Sequence, residues 1–339
     1  MIALLPKENL MPFLARLSEK MEVIAPVSIG TEPAFVTWKG RPLALEKNPL
    51  MAPLEFLLPQ RDVLFRYVQE SGSYTFEESA PMPRLVFGVR PCDLHSVAIL
   101  DRIFGVEPKD GAYFGRRRWT ILVALNCIHP GEGCNCASFG SGPEVVARED
   151  FDLLFTELSD GYLAEIGSPA GMMILQDCSD LLKEADNGRI TEKRRCLDDA
   201  RGSLQAGQDR SLRSLSQIRQ AIKDADWEAL GRQCLNCGGC TFVCPVCHCF
   251  NIVDRGVPDG ERIRCRDTCI LSGFSRMTGG ANPRRSPGER MKNWYLDKFE
   301  YIPKKTGMIG CVGCGRCNRT CLAEIDRLTL EARMPEAKR

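Results

Sequence analysis

The chain has 339 residues, 44% of them hydrophobic, 26% charged and 7% aromatic. At that length most of the unfolded surface is buried on folding, so the 18 cysteines are not staples for a missing core. Lys+Arg number 45 against 44 Asp+Glu, a balance that excludes a disordered polyelectrolyte and gives no reason to expect nucleic-acid binding. No apolar run approaches the length of a membrane span. Residues 1–17 place Pro6, Lys7 and Glu8 where the apolar part of a signal peptide would run. The expected compartment is therefore the cytoplasm, where thiols stay reduced and clustered cysteines serve metal or redox chemistry rather than disulfides.

Residues 1–175 read as an α/β domain with strands near 23–24, 34–38, 84–89 and 119–125. After the apolar run at 84–89 comes the turn Arg90-Pro91-Cys92-Asp93, with Asp93 expected to cap a helix through Phe104. The next apolar run delivers Cys127, followed by a Gly-rich loop with Cys134 and Cys136. If the two strands are parallel neighbours, Cys92 and Cys127 emerge at one sheet edge, where α/β proteins build their sites. Four thiols could then gather as a metal site; the alternative is ordinary buried cysteines.

Residues 176–230 are expected to be a linker and lead-in helix. No sustained period runs through 176–210, while Leu212, Leu215, Ile218 and Ile222 repeat at helical spacing, a stripe better suited to core packing than to a partner. Residues 231–325 read as a mainly helical ferredoxin domain of the bacterial two-cluster type, with 293–299 helical, and 326–339 as a tail, frayed from Glu331.

The ferredoxin reading rests on a repeat. Cys234-x2-Cys237-x2-Cys240-x3-Cys244-Pro245 recurs as Cys311-x2-Cys314-x2-Cys317-x3-Cys321, with Leu322 in place of the proline. Three thiolates at this spacing wrap one 4Fe-4S cube, and the fourth crosses to the other cube. The crossing rule assigns Cys234, Cys237, Cys240 and Cys321 to one cluster and Cys311, Cys314, Cys317 and Cys244 to the second. Gly238, Gly239, Gly313 and Gly315 allow the backbone close approach and positive φ. Structural zinc, which prefers two separated knuckles, is a poor second, and a zinc-stabilised, non-redox interaction protein is the alternative of another class. The radical-enzyme spacing Cys240-x3-Cys244-x2-Cys247 is nested inside the repeat and reads as an accident of overlap.

Three sets of motifs carry a family resemblance: Gly88-Val-Arg-Pro-Cys-Asp-Leu-His95; Leu125-Asn-Cys127 with the Cys134, Cys136, Gly140 and Gly142-Pro143 loop; and the repeat continued by Cys247-x-Cys249-Phe250. Over about residues 50–325 the chain resembles the iron-sulfur β subunits of cytoplasmic sulfhydrogenases and other NAD(P)H-linked nickel-iron hydrogenases, and is similar to one of the iron-sulfur subunits of anaerobic sulfite reductase. The resemblance implies a non-catalytic component relaying electrons between a flavin-containing NAD(P)H-oxidising module and a hydrogenase or sulfite-reductase module. It also implies a third 4Fe-4S cluster at Cys92, Cys127, Cys134 and Cys136. Cys247, Cys249 and Cys269 match family positions as further ligands: of a fourth cluster with His248 or Cys265, as a substitute crossing ligand, or as free thiols near the clusters. Cys178 and Cys196 read as plain free cysteines.

His95, His129 and His248 form no acid-base set, and no catalytic residue is expected. Gly131-x-Gly133 and Gly140-x-Gly142 lack the rest of a dinucleotide fingerprint, so no flavin or nicotinamide is expected in this chain, and the two-electron step falls to a partner. The C-terminal quarter is net basic. Its Arg264, Arg266, Arg276, Arg284, Arg285, Arg316 and Arg319 are expected to raise cluster potentials or to dock an acidic partner.

Overall fold

The computed structural model describes residues 2–70, 73–77, 82–145, 151–207 and 215–325. The chain opens with β1 (Ile2–Pro6), α1 (Leu10–Ser18), β2 (Glu22–Ile29) and β3 (Glu32–Thr37). A hairpin, β4 (Arg61–Glu70) and β5 (Ser73–Glu77), precedes β6 (Arg84–Val89), α2 (Pro91–Phe104), α3 (Gly111–Arg118) and β7 (Thr120–Leu125). Then follow β8 (Leu153–Glu157), β9 (Gly161–Ile166), α4 (Pro169–Asp177), β10 (Lys183–Glu184) and α5 (Asn187–Gly207). These strands, β4 and β5 excepted, form one sheet in the order β10-β1-β9-β8-β7-β6-β2-β3.

Its centre, β2, β6, β7 and β8, is parallel. Parallel strands are covered on both faces, which is why 84–89 and 120–125 are nearly continuous apolar runs. One face packs on α1 and α4 through Phe13, Leu14 and Ile174, the other on α2 through Ile99 and Leu100. The register Arg84 to Thr120 sets the ends of β6 and β7 side by side, so Cys92 and Cys127 do leave from one edge.

The second half holds α6 (Leu215–Asp224), α7 (Trp227–Gln233), α8 (Gly239–Phe242), β11 (Phe250–Arg255) and β12 (Gly260–Arg266). It ends with α9 (Pro287–Leu296), a π turn (Asp297–Tyr301), α10 (Ile302–Thr306) and α11 (Arg316–Arg319). α6, α7 and α9 close on a third core with Ile222, Leu230, Met291, Trp294 and Tyr295, and Leu215 and Ile218 pack there as the stripe requires. Leu212 and the tail from 326 lie outside the described residues. No helix among the described residues is long and apolar enough to cross a membrane.

Four expectations need correction. The stretch expected as linker contains β10, paired to β1, and the long helix α5, whose Arg189 and Lys193 hold Asp160 and Glu165. Its ion pairs, rather than an apolar period, tie it to the sheet. The lead-in helix is two helices, because Asp226 caps α7 by accepting from the Ala229 N–H at 3.0 Å. The boundary at 231 is not clean, since β12 pairs with β4 in a second sheet ordered β11-β12-β4-β5. Finally, Asp93 does not cap α2. The helix starts two residues earlier, at Pro91, whose fixed φ suits a first turn, and the Asp93 carboxylate is left for another use.

Candidate metal centres

Cys92 lies in the first turn of α2 and Cys127 just beyond β7. The loop after β7 is tied back by the Cys127 N–H donating to the Pro143 carbonyl at 3.0 Å, and a 3-10 turn at Cys136–Phe139 folds it over the sheet edge. Cys92, Cys127, Cys134 and Cys136 thereby line one pocket with Asn48, Arg90 and His129. Burial pushes the Cys92, Cys127 and Cys136 thiols upward, Cys136 to about 12, and Cys136 also feels the charge of Cys127 and Cys134. Arg90 acts in the opposite direction on Cys127. Four sulfurs in a desolvated pocket are a poor set of bare thiolates and a good set of ligands, because bound metal replaces the protons.

The ferredoxin loops follow the same logic. Cys234, Cys237, Cys240 and Cys321 line a second pocket, so the fourth cysteine of the second copy does reach the first loop. At the other loop Cys311, Cys314 and Cys317 all feel the charge of Cys244. Gly238 and Gly315 lead into α8 and α11 with φ of 73° and 71°, turns that an L side chain resists; Gly239 has no such conformation.

The three thiol sets stand close together. Cys314 lines the wall of the Cys92 pocket, and the Cys134 thiol faces the Cys314 carbonyl at 3.9 Å. Cys317 in turn feels Cys240. Two loops make the junction: the Asn135 N–H donates to the Gly313 carbonyl at 2.6 Å, and a Cβ on Gly315 would lie 2.5 Å from the Gly133 carbonyl oxygen. Gly315→Ala is therefore expected to cost about 1–3 kcal/mol, read as a lower denaturation midpoint, with Gly279→Ala, also at positive φ but in open space, costing less.

The arginines divide in a way that the sequence does not reveal. Arg264 is buried between Asp62 and Asp110, and Arg116 completes that network, so Arg264 is a structural cation and neither docks a partner nor faces the thiol sites. Arg316 is wholly buried. It makes a bidentate pair with Asp93 and donates to the Pro49 carbonyl at 2.9 Å and Asn48 Oδ1 at 2.7 Å. It sits between Cys92 and Cys314 electrically, lowering both thiols. Arg266 is buried within the field of Cys247, Cys244 and Cys249, whereas Arg276, Arg285 and Arg319 are exposed and Arg284 half-buried.

Cys247 shares a hydrogen bond with Cys244, which draws the Cys244 thiol well below its ordinary value, and Cys249 shares one with Cys269. Both pairs belong to the core of the second half. Cys265 lies on β12 opposite Asn251 and Arg61. His248 directs Nδ1 to the Val246 carbonyl at 3.0 Å and its ring to Phe104. His95 is half-buried on α2, Cys178 is buried under α1 and α4, and Cys196 is on α5. Sequence reasoning passed over Asn48, whose Nδ2 reaches the Cys92 sulfur at 3.7 Å, and Lys298, a buried cation in the π turn. Neither belongs to a motif.

Among the described residues no three His, Cys, Asp or Glu side chains converge tightly enough for a single metal ion. The residues fit iron-sulfur cubes instead: sets of four thiols stand around shared space, and the buried Lys298 Nζ, without a hydrogen-bond partner among the described residues, calls for an anion beside Cys244 and Cys311.

Comparison with known proteins agrees. Residues 233–325 match the family model for a 4Fe-4S dicluster domain. The sulfhydrogenase 2 β subunit of Pyrococcus furiosus is 31% identical over 286 residues, covering 82% of this chain and 81% of that protein. No solved structure matches. With that identity over most of both chains, and with the dicluster segment falling on the doubled cysteine loops, the chain belongs to the family of sulfhydrogenase β subunits.

Proposed function

We propose that this chain is the electron-transfer subunit of a cytoplasmic hydrogenase complex and carries three 4Fe-4S cubes. They are held by Cys92, Cys127, Cys134 and Cys136; by Cys311, Cys314, Cys317 and Cys244; and by Cys234, Cys237, Cys240 and Cys321. The observation that carries the reading is the serial arrangement: Cys314 walls the first site, and Cys240 lies within the field of Cys317. When bound, such cubes accept and donate single electrons at potentials set by charge, hydrogen bonds to sulfur and exposure.

The protein orients the thiols, keeps water from the inner two sites and opens the outer one. Leu235 and Leu322, 62% and 79% exposed, flank the Cys234 pocket, and Cys237 itself is exposed. That apolar rim, with Arg232 and Arg276 exposed in neighbouring segments, is where a redox partner approaches closely enough for transfer. The hydride step with NAD(P)H is assigned to a flavin-containing partner and the hydrogen chemistry to a nickel-iron partner, since this chain supplies cysteine sites and no acid-base set. The α/β half and the ferredoxin half act as one unit joined by the β4 to β12 pairing and by Arg316.

Anaerobic purification should yield about twelve iron and twelve sulfide per chain, with EPR signals of reduced cubes after dithionite. Colourless protein with stoichiometric zinc would overturn the reading. Cys247, Cys249 and Cys269 stand in the same core as Cys244, and about sixteen iron per chain would mark them as ligands of a fourth cube.

A further inference from the structure

Lys298 is 1% exposed, and its Nζ has no hydrogen-bond partner among the described residues. A lysine on a surface helix normally runs its alkyl stem along apolar surface and keeps the ammonium in water. Here the stem is buried as well, and Nζ lies 5.9 Å from the Trp294 ring centroid. An isolated buried ammonium is among the most expensive groups a protein can hold, unless a countercharge stands next to it. The charges around it are those of Cys244 and Cys247 first, then Asp297 and Cys311. Asp297 is adjacent in sequence, but it forms no hydrogen bond to Nζ, and it also acts on the Cys249 and Cys269 pair.

The backbone keeps the side chain there. Lys298 lies in the π turn between α9 and α10, and a π turn shifts the residues after it around the helix, a device often found at functional positions. Its carbonyl accepts the Gly310 N–H at 2.8 Å, immediately before Cys311. A Cβ on Gly310 would come within 2.9 Å of the Lys298 Cα, so the lysine backbone and the ligand loop are in contact. One site thus has a cation fixed against it from a separate element. Arg316 lies nearby, but its charge is already matched by Asp93.

We propose that Lys298 is a positioning residue that places a permanent positive charge on the cube held by Cys311, Cys314, Cys317 and Cys244, raising its reduction potential and making it the easier of the two ferredoxin cubes to reduce. This rests on the reading that these four cysteines hold a cube. Adding an electron makes the cube more anionic, so an uncompensated ammonium beside its sulfurs favours the reduced state.

The test is an EPR-monitored redox titration of the anaerobically purified full chain, comparing wild type with Lys298→Met and Lys298→Arg. With Lys298→Met, one reduction step is expected to shift downward by at least tenfold in its equilibrium constant, about 59 mV for one electron, while the other steps stay in place. Lys298→Arg should keep the wild-type value. If Lys298→Met fails to load that cube, Lys298→Arg must still load it at the wild-type potential. Loss of the cube from both variants marks a packing role and overturns the proposal, as does a full iron complement in Lys298→Met with every potential unchanged. A wild-type chain without cubane iron would instead remove the reading on which the proposal rests.

Discussion

Changing Cys92 to serine is expected to lower bound iron by about four atoms per chain and leave about eight, with one reduction step lost from the titration and the others retained. Cys134→Ser should do the same, because both thiols line the pocket shared with Cys127 and Cys136. The effect is large because a cube held by three cysteines and a hydroxyl loses a soft anionic ligand in a site where burial already makes bare thiolates unfavourable. The fold should survive. Serine is smaller than cysteine, and Asn48 Nδ2, which faces the Cys92 sulfur, can donate to a hydroxyl at the same place. Unchanged iron content in Cys92→Ser would refute the assignment of a cube to the α/β half, and loss of all iron would place Cys92 in folding rather than in one site.

Arg316→Met is expected to destabilise the protein by about 3–5 kcal/mol, the range found when one partner of a buried ion pair is removed. Asp93 is 1% exposed, and without the guanidinium its carboxylate stays in the core with no cation. Asn48 Oδ1 and the Pro49 carbonyl also lose their donor. The measurement is the denaturant midpoint together with hydrogen exchange of α2, where protection should fall first. Because a buried pair stabilises little relative to apolar groups of similar volume, Asp93→Leu combined with Arg316→Met should recover most of the loss. A double variant as unstable as the single one would show that the arginine matters through its backbone contacts near Asn48. Since Arg316 also lowers the Cys92 and Cys314 thiols, the single variant should load iron more slowly at both sites, which iron analysis after timed reconstitution can follow.

The ferredoxin sites were legible from spacing because their geometry is local. Three thiolates within seven residues, followed by a fourth after a three-residue gap, leave the loop little choice, and the glycines at 238 and 315 show where it must turn. The two strands leading to Cys92 and Cys127 were equally legible, since a strand buried on both faces must be apolar throughout. Several other strands escaped notice. β4 and β12 carry Arg, Asp and Tyr among their apolar residues, because one side of their sheet meets solvent and Arg264 of β12 is matched by Asp62 of β4. α5 was missed for a related reason: ion pairs to the sheet hold it, and such pairs have no periodic signature.

Along the chain, therefore, composition and cysteine spacing are enough to establish a reduced, metal-binding protein with a doubled ferredoxin loop. Only the tertiary structure decides that the α/β half and the ferredoxin half share an interface, that Asp93 pairs with Arg316 instead of capping α2, and that Lys298 stands beside Cys244 and Cys311. The reason is physical. Chelation and capping act over a few residues, whereas a buried charge must find its counter-ion wherever folding brings one, and here the partners are separated by 223 positions.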